Sequence, residues 1–78
     1  MTEVINVGLI GAGRIGRVHA DNLVHRVPGA SLVAVADIHM EAAKKIAADF
    51  QISAAFQDYR HLMDDKAVDA VVVCSSTD

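Results

Sequence analysis

A single cysteine, Cys74, supplies all the thiol in this chain, and tryptophan is absent. One thiol closes no internal disulfide and, without partners, builds no structural zinc site. A reducing setting, the cytoplasm by default, is therefore expected. Aromatic residues make up only 4% of the 78 positions. The core must accordingly be assembled from Val, Ile, Leu and Ala, which suits buried parallel strands covered by helices. No segment approaches the roughly 20 consecutive apolar residues that cross a bilayer. Glu3 and the strand-like pattern behind it do not resemble a secretory leader. Basic charge is also scarce: 7 Lys and Arg stand against 10 Asp and Glu, for a net charge of -3. The cations are scattered, so the basic footprint of a nucleic-acid binder is missing.

What the chain does have is apolar surface, 53% of its residues. That is enough to offset chain entropy and argues against disorder. Its length allows one small domain, which buries only about 60% of the surface of its unfolded chain and is marginally stable.

The hydrophobic pattern alternates in type along the chain. Val4 to Ile10 is a short apolar run that stops at glycines and reads as a strand buried on both faces. From Arg14 to about His25 the period becomes helical, with Gly16, Ala20, Leu23, Val24 and Val27 on one stripe. Pro28-Gly29 ends that helix. Leu32 to Ala36 is a second strand, and Met40 to Phe50 a second helix with Ala43, Ile46, Ala47 and Phe50 inward. Ser53 to Phe56 is a short third strand. Asp58 is placed to cap a third helix whose inward face is Tyr59, Leu62 and Met63. Ala70 to Cys74 is the most strand-like run of all. The order is βαβαβαβ, and the connections are crossovers, which parallel strands require. The fold class is α/β, a partial Rossmann arrangement with sheet order 3-2-1-4 and helices on both faces.

Gly11-Ala12-Gly13-Arg14-Ile15-Gly16 has the G-x-G-x-x-G spacing. Alone this is a weak signal, but here it follows a predicted strand and opens a predicted helix. Gly11 is expected to make the tight turn, Gly13 to leave room for a pyrophosphate, and Gly16 to let the helix approach the sheet. The amides near Arg14 and Ile15, at the positive end of the helix, would then face phosphate. The competing reading is a glycine-rich turn without a ligand. Asp37 closes the second strand about 20 residues on, where a carboxylate can accept from the adenosine ribose hydroxyls. It could equally cap the second helix, or do both. A carboxylate repels a 2′-phosphate, and the next residue is Ile38 rather than Arg, so NAD is favoured over NADP. A protonated His39 is a weak counterweight.

Other polar residues carry less. Arg14 either lies over the cofactor or is simply solvated. His19 falls beside the apolar stripe of the first helix and is read as packing there. His25, His39 and His61 show no ligand spacing for a metal. Cys74 has no evident base to activate it and reads as a small buried residue. Ser75, Ser76 and Thr77 follow the fourth strand, where open α/β sheets take ligands.

The stretch Val7 to Ala20, reading Val-Gly-Leu-Ile-Gly-Ala-Gly-Arg-Ile-Gly-Arg-Val-His-Ala, resembles the opening of the Gfo/Idh/MocA oxidoreductases, above all the inositol 2-dehydrogenase branch. Val68 to Asp78 resembles the fourth strand and loop of the same group. The resemblance implies reversible NAD(P)-dependent oxidation of a sugar or cyclitol hydroxyl. It also implies a C-terminal domain that supplies the substrate pocket, and a catalytic lysine in a Glu-Lys-Pro motif beyond the next helix and strand. Neither lies within these 78 residues, so the chain is expected to be a truncated unit that holds a dinucleotide without turning over substrate. Gly11, Gly13, Gly16 and Asp37 carry over as cofactor residues, with Ser75 and Thr77 behind them. A non-enzymatic assembly or regulatory module on the same half-fold is the alternative. The Ala70–Cys74 edge, apolar and without a guarding charge, is expected to pair two copies into a homodimer.

Overall fold

The computed structural model describes residues 4–74. Seven elements follow one another: β1 (Ile5–Ile10), α1 (Arg14–His25), β2 (Ala30–Ala36), α2 (Met40–Phe50), β3 (Ala54–Phe56), α3 (Tyr59–Met63) and β4 (Ala70–Val73). All strand pairs are parallel and the sheet order is β3-β2-β1-β4. This is the expected topology. It brings the C-terminal ends of all four strands to one edge, with β1 near the middle.

The alternation of side chains along β1 sorts the core into two faces. Leu9 points to the side covered by α1 and α2, where it joins Leu32, Val35, Ala20, Ala43 and Ile46. The opposite face is thinner: Leu62 of α3 packs on Ala34 and Ala36, with Ile10, Phe56 and Val68 around them. Gly8 makes this possible, because a Cβ there would lie 2.6 Å from Leu62 Cδ2. On the first face Arg17 ties α1 to α2 by an ion pair with Asp49, its guanidinium 5.6 Å from the centre of the Phe50 ring.

Several boundaries differ from the pattern-based expectation. Val4 is exposed and lies outside β1, and β3 begins at Ala54 rather than Ser53. β2 starts two residues before Leu32, at Ala30, which pairs with Ile5. The backbone ladder, to which Ala30 and Ser31 contribute, extends the strand past its apolar run. β4 ends at Val73, although the Cys74 N–H still donates to the Ile10 carbonyl at 2.7 Å. In α1 only Gly16 and Ala20 are buried; Val24, Val27 and His19 are exposed. The packing of His19 expected from the sequence is therefore incorrect. In α3, Leu62 is fully buried while Tyr59 and Met63 are 45% and 60% exposed. Tyr59 and Met63 share the helix face of Leu62, but the thin second layer of the core covers Leu62 alone.

Leu62 is thus the one side chain by which α3 holds the second face. Leu62→Ala should cost about 2–5 kcal/mol, most of the stability of a domain this small. Urea unfolding followed by far-UV circular dichroism checks this; a loss under about 1 kcal/mol would contradict it.

Candidate functional site

The turn from β1 into α1 is anchored to both neighbouring strands. Gly11 donates its N–H to the Ala36 carbonyl of β2 at 2.8 Å, and on the other side the Cys74 N–H reaches the Ile10 carbonyl. Between these anchors Gly11 adopts φ +103°, a region that side chains disfavour, and a Cβ there would run into the Cys74 carbonyl. A Cβ on Gly16 would strike the Gly11 carbonyl oxygen, whereas its nearest strand atom, Leu9 Cδ2, is 4.0 Å away. Gly16 therefore fits the helix against its own entry loop first and against the sheet second. Gly13 differs from both. Its backbone is ordinary extended chain, φ -76° and ψ -160°, and among the described residues nothing lies within 4 Å of where its Cβ would be.

Beyond Gly13 the helix begins, with nothing among the described residues covering its first turn. The first intrahelical bond is Arg17 N–H to the Gly13 carbonyl, 2.9 Å. No side chain caps α1, and its first turn has no acidic residue. Among the described residues, the amides of Gly13, Arg14, Ile15 and Gly16 meet no acceptor. Four unpaired donors and the positive end of the helix dipole make such a terminus receptive to an anion. Arg14 and Ile15 are both exposed there.

Asp37 sits at the end of β2, half-buried, with both carboxylate oxygens engaged. Oδ2 accepts from the Ala12 N–H and Oδ1 from the His39 N–H, each at 2.7 Å. The second bond is an Asx turn. The N-cap of α2 is His39, so Asp37 does not cap that helix; it shapes the turn leading into it.

A groove of about 790 Å³ runs along this edge of the sheet, from Gly11, Gly13 and Cys74 past Asp37 to the start of α3. Ile38, 76% exposed, forms an apolar ledge on it. Its far wall is Gln57, Asp58, Tyr59 and Arg60. Gln57 donates from Nε2 to the Ile38 carbonyl at 3.2 Å. Asp58 caps α3, as expected, by accepting the Arg60 N–H at 2.9 Å, and it also holds the Arg60 guanidinium through Nε and Nη2 at 3.1 and 2.9 Å. That guanidinium, and then the backbone N–H, hold the Asp58 carboxyl down to about 2. The sequence reading missed this wall. The sheet order was the available signal, since it sets the end of β3 beside the end of β2.

Cys74 is half-buried and burial pushes its thiol up, which suits a packing role and not a nucleophile. Ser75 and Thr77 lie outside the described residues. Among the described residues no group of three His, Cys, Asp or Glu is placed to hold a metal, and no helix is long and apolar enough to cross a membrane.

Residues 5–78 match the oxidoreductase family with an NAD-binding Rossmann fold. The chain belongs to the Gfo/Idh/MocA oxidoreductases. It is 44% identical over 73 residues to an inositol 2-dehydrogenase/D-chiro-inositol 3-dehydrogenase of Lacticaseibacillus casei, covering 92% of this chain and 21% of that protein. An uncharacterized oxidoreductase of Bacillus subtilis is 42% identical over 77 residues, which is 99% of this chain and 22% of the other. The crystal structure of myo-inositol dehydrogenase from Lactobacillus casei, in complex with NAD(H) and myo-inositol, superposes with a TM-score of 0.87 at 44% identity. It matches over 92% of this chain and 22% of its own. This member of the family thus spans about a fifth of the length of the relatives it matches. The family fold is an NAD-binding one, in keeping with the acidic residue at the end of β2.

Two of the motif glycines, Gly16 and Gly13, should separate in their effects. Gly16→Ala should lose about 1–3 kcal/mol of stability through overpacking. Gly13→Ser should leave stability unchanged or raise it by a few tenths of a kcal/mol, since serine is a better N-cap than glycine. The same substitution should weaken NADH binding about tenfold or more, through the loss of a phosphate hydrogen bond. Urea unfolding and calorimetric titration on both variants give the comparison; full NADH affinity in Gly13→Ser would contradict it.

Proposed function

We propose that this chain is the dinucleotide-holding part of an NAD-dependent dehydrogenase that oxidises a hydroxyl of a sugar or an inositol. Gly11, Gly13, Arg14, Ile15 and Gly16 receive the pyrophosphate, while Asp37 and Ile38 receive the adenosine side. Ser75 and Thr77 join them on the strength of the family resemblance alone. One observation carries the reading. Among the described residues the Cβ position of Gly13 meets no protein atom and four neighbouring amides have no acceptor, and a half-buried carboxylate stands one strand over. A chain that used this turn only to connect β1 with α1 would have no need of glycine at position 13.

The substrate class rests on relatives named as inositol dehydrogenases. NAD, when bound, supplies the hydride acceptor. The hydroxyl proton needs a general base within hydrogen-bond reach. We assign that base and the substrate pocket to residues outside these 78, because the match covers only about a fifth of each relative. On this reading the 78-residue chain binds the cofactor and does not turn over substrate. The lone thiol at Cys74 supports a reducing, cytoplasmic setting.

Titration of the chain with NADH tests the assignment. Saturable heat that disappears in Asp37→Ala is the expected result. No heat at millimolar NADH would overturn it in favour of a non-enzymatic module on the same half-fold.

We further propose that the 78-residue chain pairs with a second copy along β4. Among the described residues β4 is hydrogen-bonded only to β1, and Val71 and Val73 are exposed on it. Such an edge is a template for another strand. Light scattering should return twice the mass of one chain at high concentration, and Val73→Lys should lower it. A monomer throughout contradicts the proposal.

A further inference from the structure

The carboxylate of Asp37 does more than the ribose contact requires, and the excess lies in its bond to Ala12. Ala12 stands between Gly11 and Gly13 and is 7% exposed. Its N–H crosses to the end of β2 and ends on Asp37 Oδ2 at 2.7 Å. Among the described residues no other acceptor meets it. A buried amide must be paired, so this bond fixes the centre of the loop. The other oxygen is held from the opposite side by the His39 N–H, also at 2.7 Å. With both oxygens engaged, the carboxylate cannot turn freely. Each ionised oxygen accepts about two hydrogen bonds, so one position on each remains for a ribose hydroxyl while the Ala12 bond persists.

Resting on the NAD reading above, we infer that Asp37 is a positioning residue for the phosphate-binding loop as well as an acceptor for ribose. Its bond to Ala12 holds the loop in the shape that leaves the amides of Gly13, Arg14 and Ile15 exposed at the helix start. The bond to His39 holds the carboxylate that holds the loop. The ribose half and the pyrophosphate half of the site are thereby joined through one side chain. Neutralising Asp37 removes a ribose acceptor and also releases the loop. Binding must then order the loop afresh, at a cost in affinity. A change of preference towards NADP made at this residue alone should accordingly weaken the hold on every dinucleotide.

The two roles predict opposite signs for a nucleotide without ribose hydroxyls. If Asp37 acts only on ribose, its charge repels a diphosphate, and removing it should leave binding of 2′,3′-dideoxy-ADP equal or tighter. If it braces the loop, the same ligand must bind more weakly. ADP and 2′,3′-dideoxy-ADP are titrated into the wild-type chain and into Asp37→Ala, with circular dichroism as the check on folding. The expected result is that dideoxy-ADP binds the wild type less tightly than ADP does. It should weaken a further tenfold to a hundredfold, about the size of one hydrogen bond to a charged group, in the variant. Unchanged or tighter dideoxy-ADP binding in Asp37→Ala overturns the inference.

Amide hydrogen exchange on the unliganded wild type decides the matter if the variant does not fold. Ala12 should be protected while Arg14 and Ile15 exchange freely; exchange at Ala12 as fast as at Arg14 overturns the brace. Failure of the wild type to bind either nucleotide would instead remove the NAD reading, with the brace still judged by the exchange at Ala12.

Discussion

β1 is hydrogen-bonded on both sides, to β2 and to β4, and the arrangement of the ligand-facing edge follows from that position. Because neighbours flank it, the chain leaving Ile10 is held twice, by Gly11 to Ala36 and by Cys74 to Ile10. The turn has no freedom to drift. It must rise between two carbonyl-bearing strands and enter α1 within three residues. The backbone does this through a left-handed conformation at Gly11 under the Cys74 carbonyl, with α1 starting close enough for Gly16 to sit on the Gly11 oxygen. Packing thus accounts for two of the three motif glycines without mention of a ligand.

The third is a different matter, and it separates folding from function. Gly13 has room for a side chain and a backbone that most residues adopt. It is also an N-cap position, where Ser, Asn or Asp would stabilise the helix better. The first turn likewise lacks the acidic residue that would complement the dipole. The start of α1 is therefore less stable than it could be, and every omitted group is one that would cover the amides or repel an anion. Local rules broken together at one place, with no gain inside the fold, mark a functional edge.

Charge on that edge is arranged with the same economy of parts. Asp37 faces the loop amides and the turn into α2, and Asp58 with Arg60 makes a self-contained pair on the far wall. The guanidinium satisfies the Asp58 carboxylate, so the wall presents little net charge to the groove. Ile38 between them offers an apolar ledge. Among the described residues of this edge, the negative charge that remains unmatched by a cation is that of Asp37.

The sequence by itself determined the strand–helix alternation, the parallel sheet and its order, and the glycine loop with Asp37. These depend on periodicity and on fixed chain distances, which a linear pattern records directly. It misjudged what depends on depth. Tyr59, Met63 and His19 belong to the right elements yet face solvent, because a short helix or an outer stripe has too little covering it. The wall from Gln57 to Arg60 was overlooked although the sheet order sets the end of β3 beside the end of β2, because its residues carry no site motif. Only the tertiary structure decided that Asp37 grips Ala12, twenty-five positions away in the chain. That contact exists because two parallel strands side by side bring their ends together, and pairing across strands leaves no periodic trace in sequence.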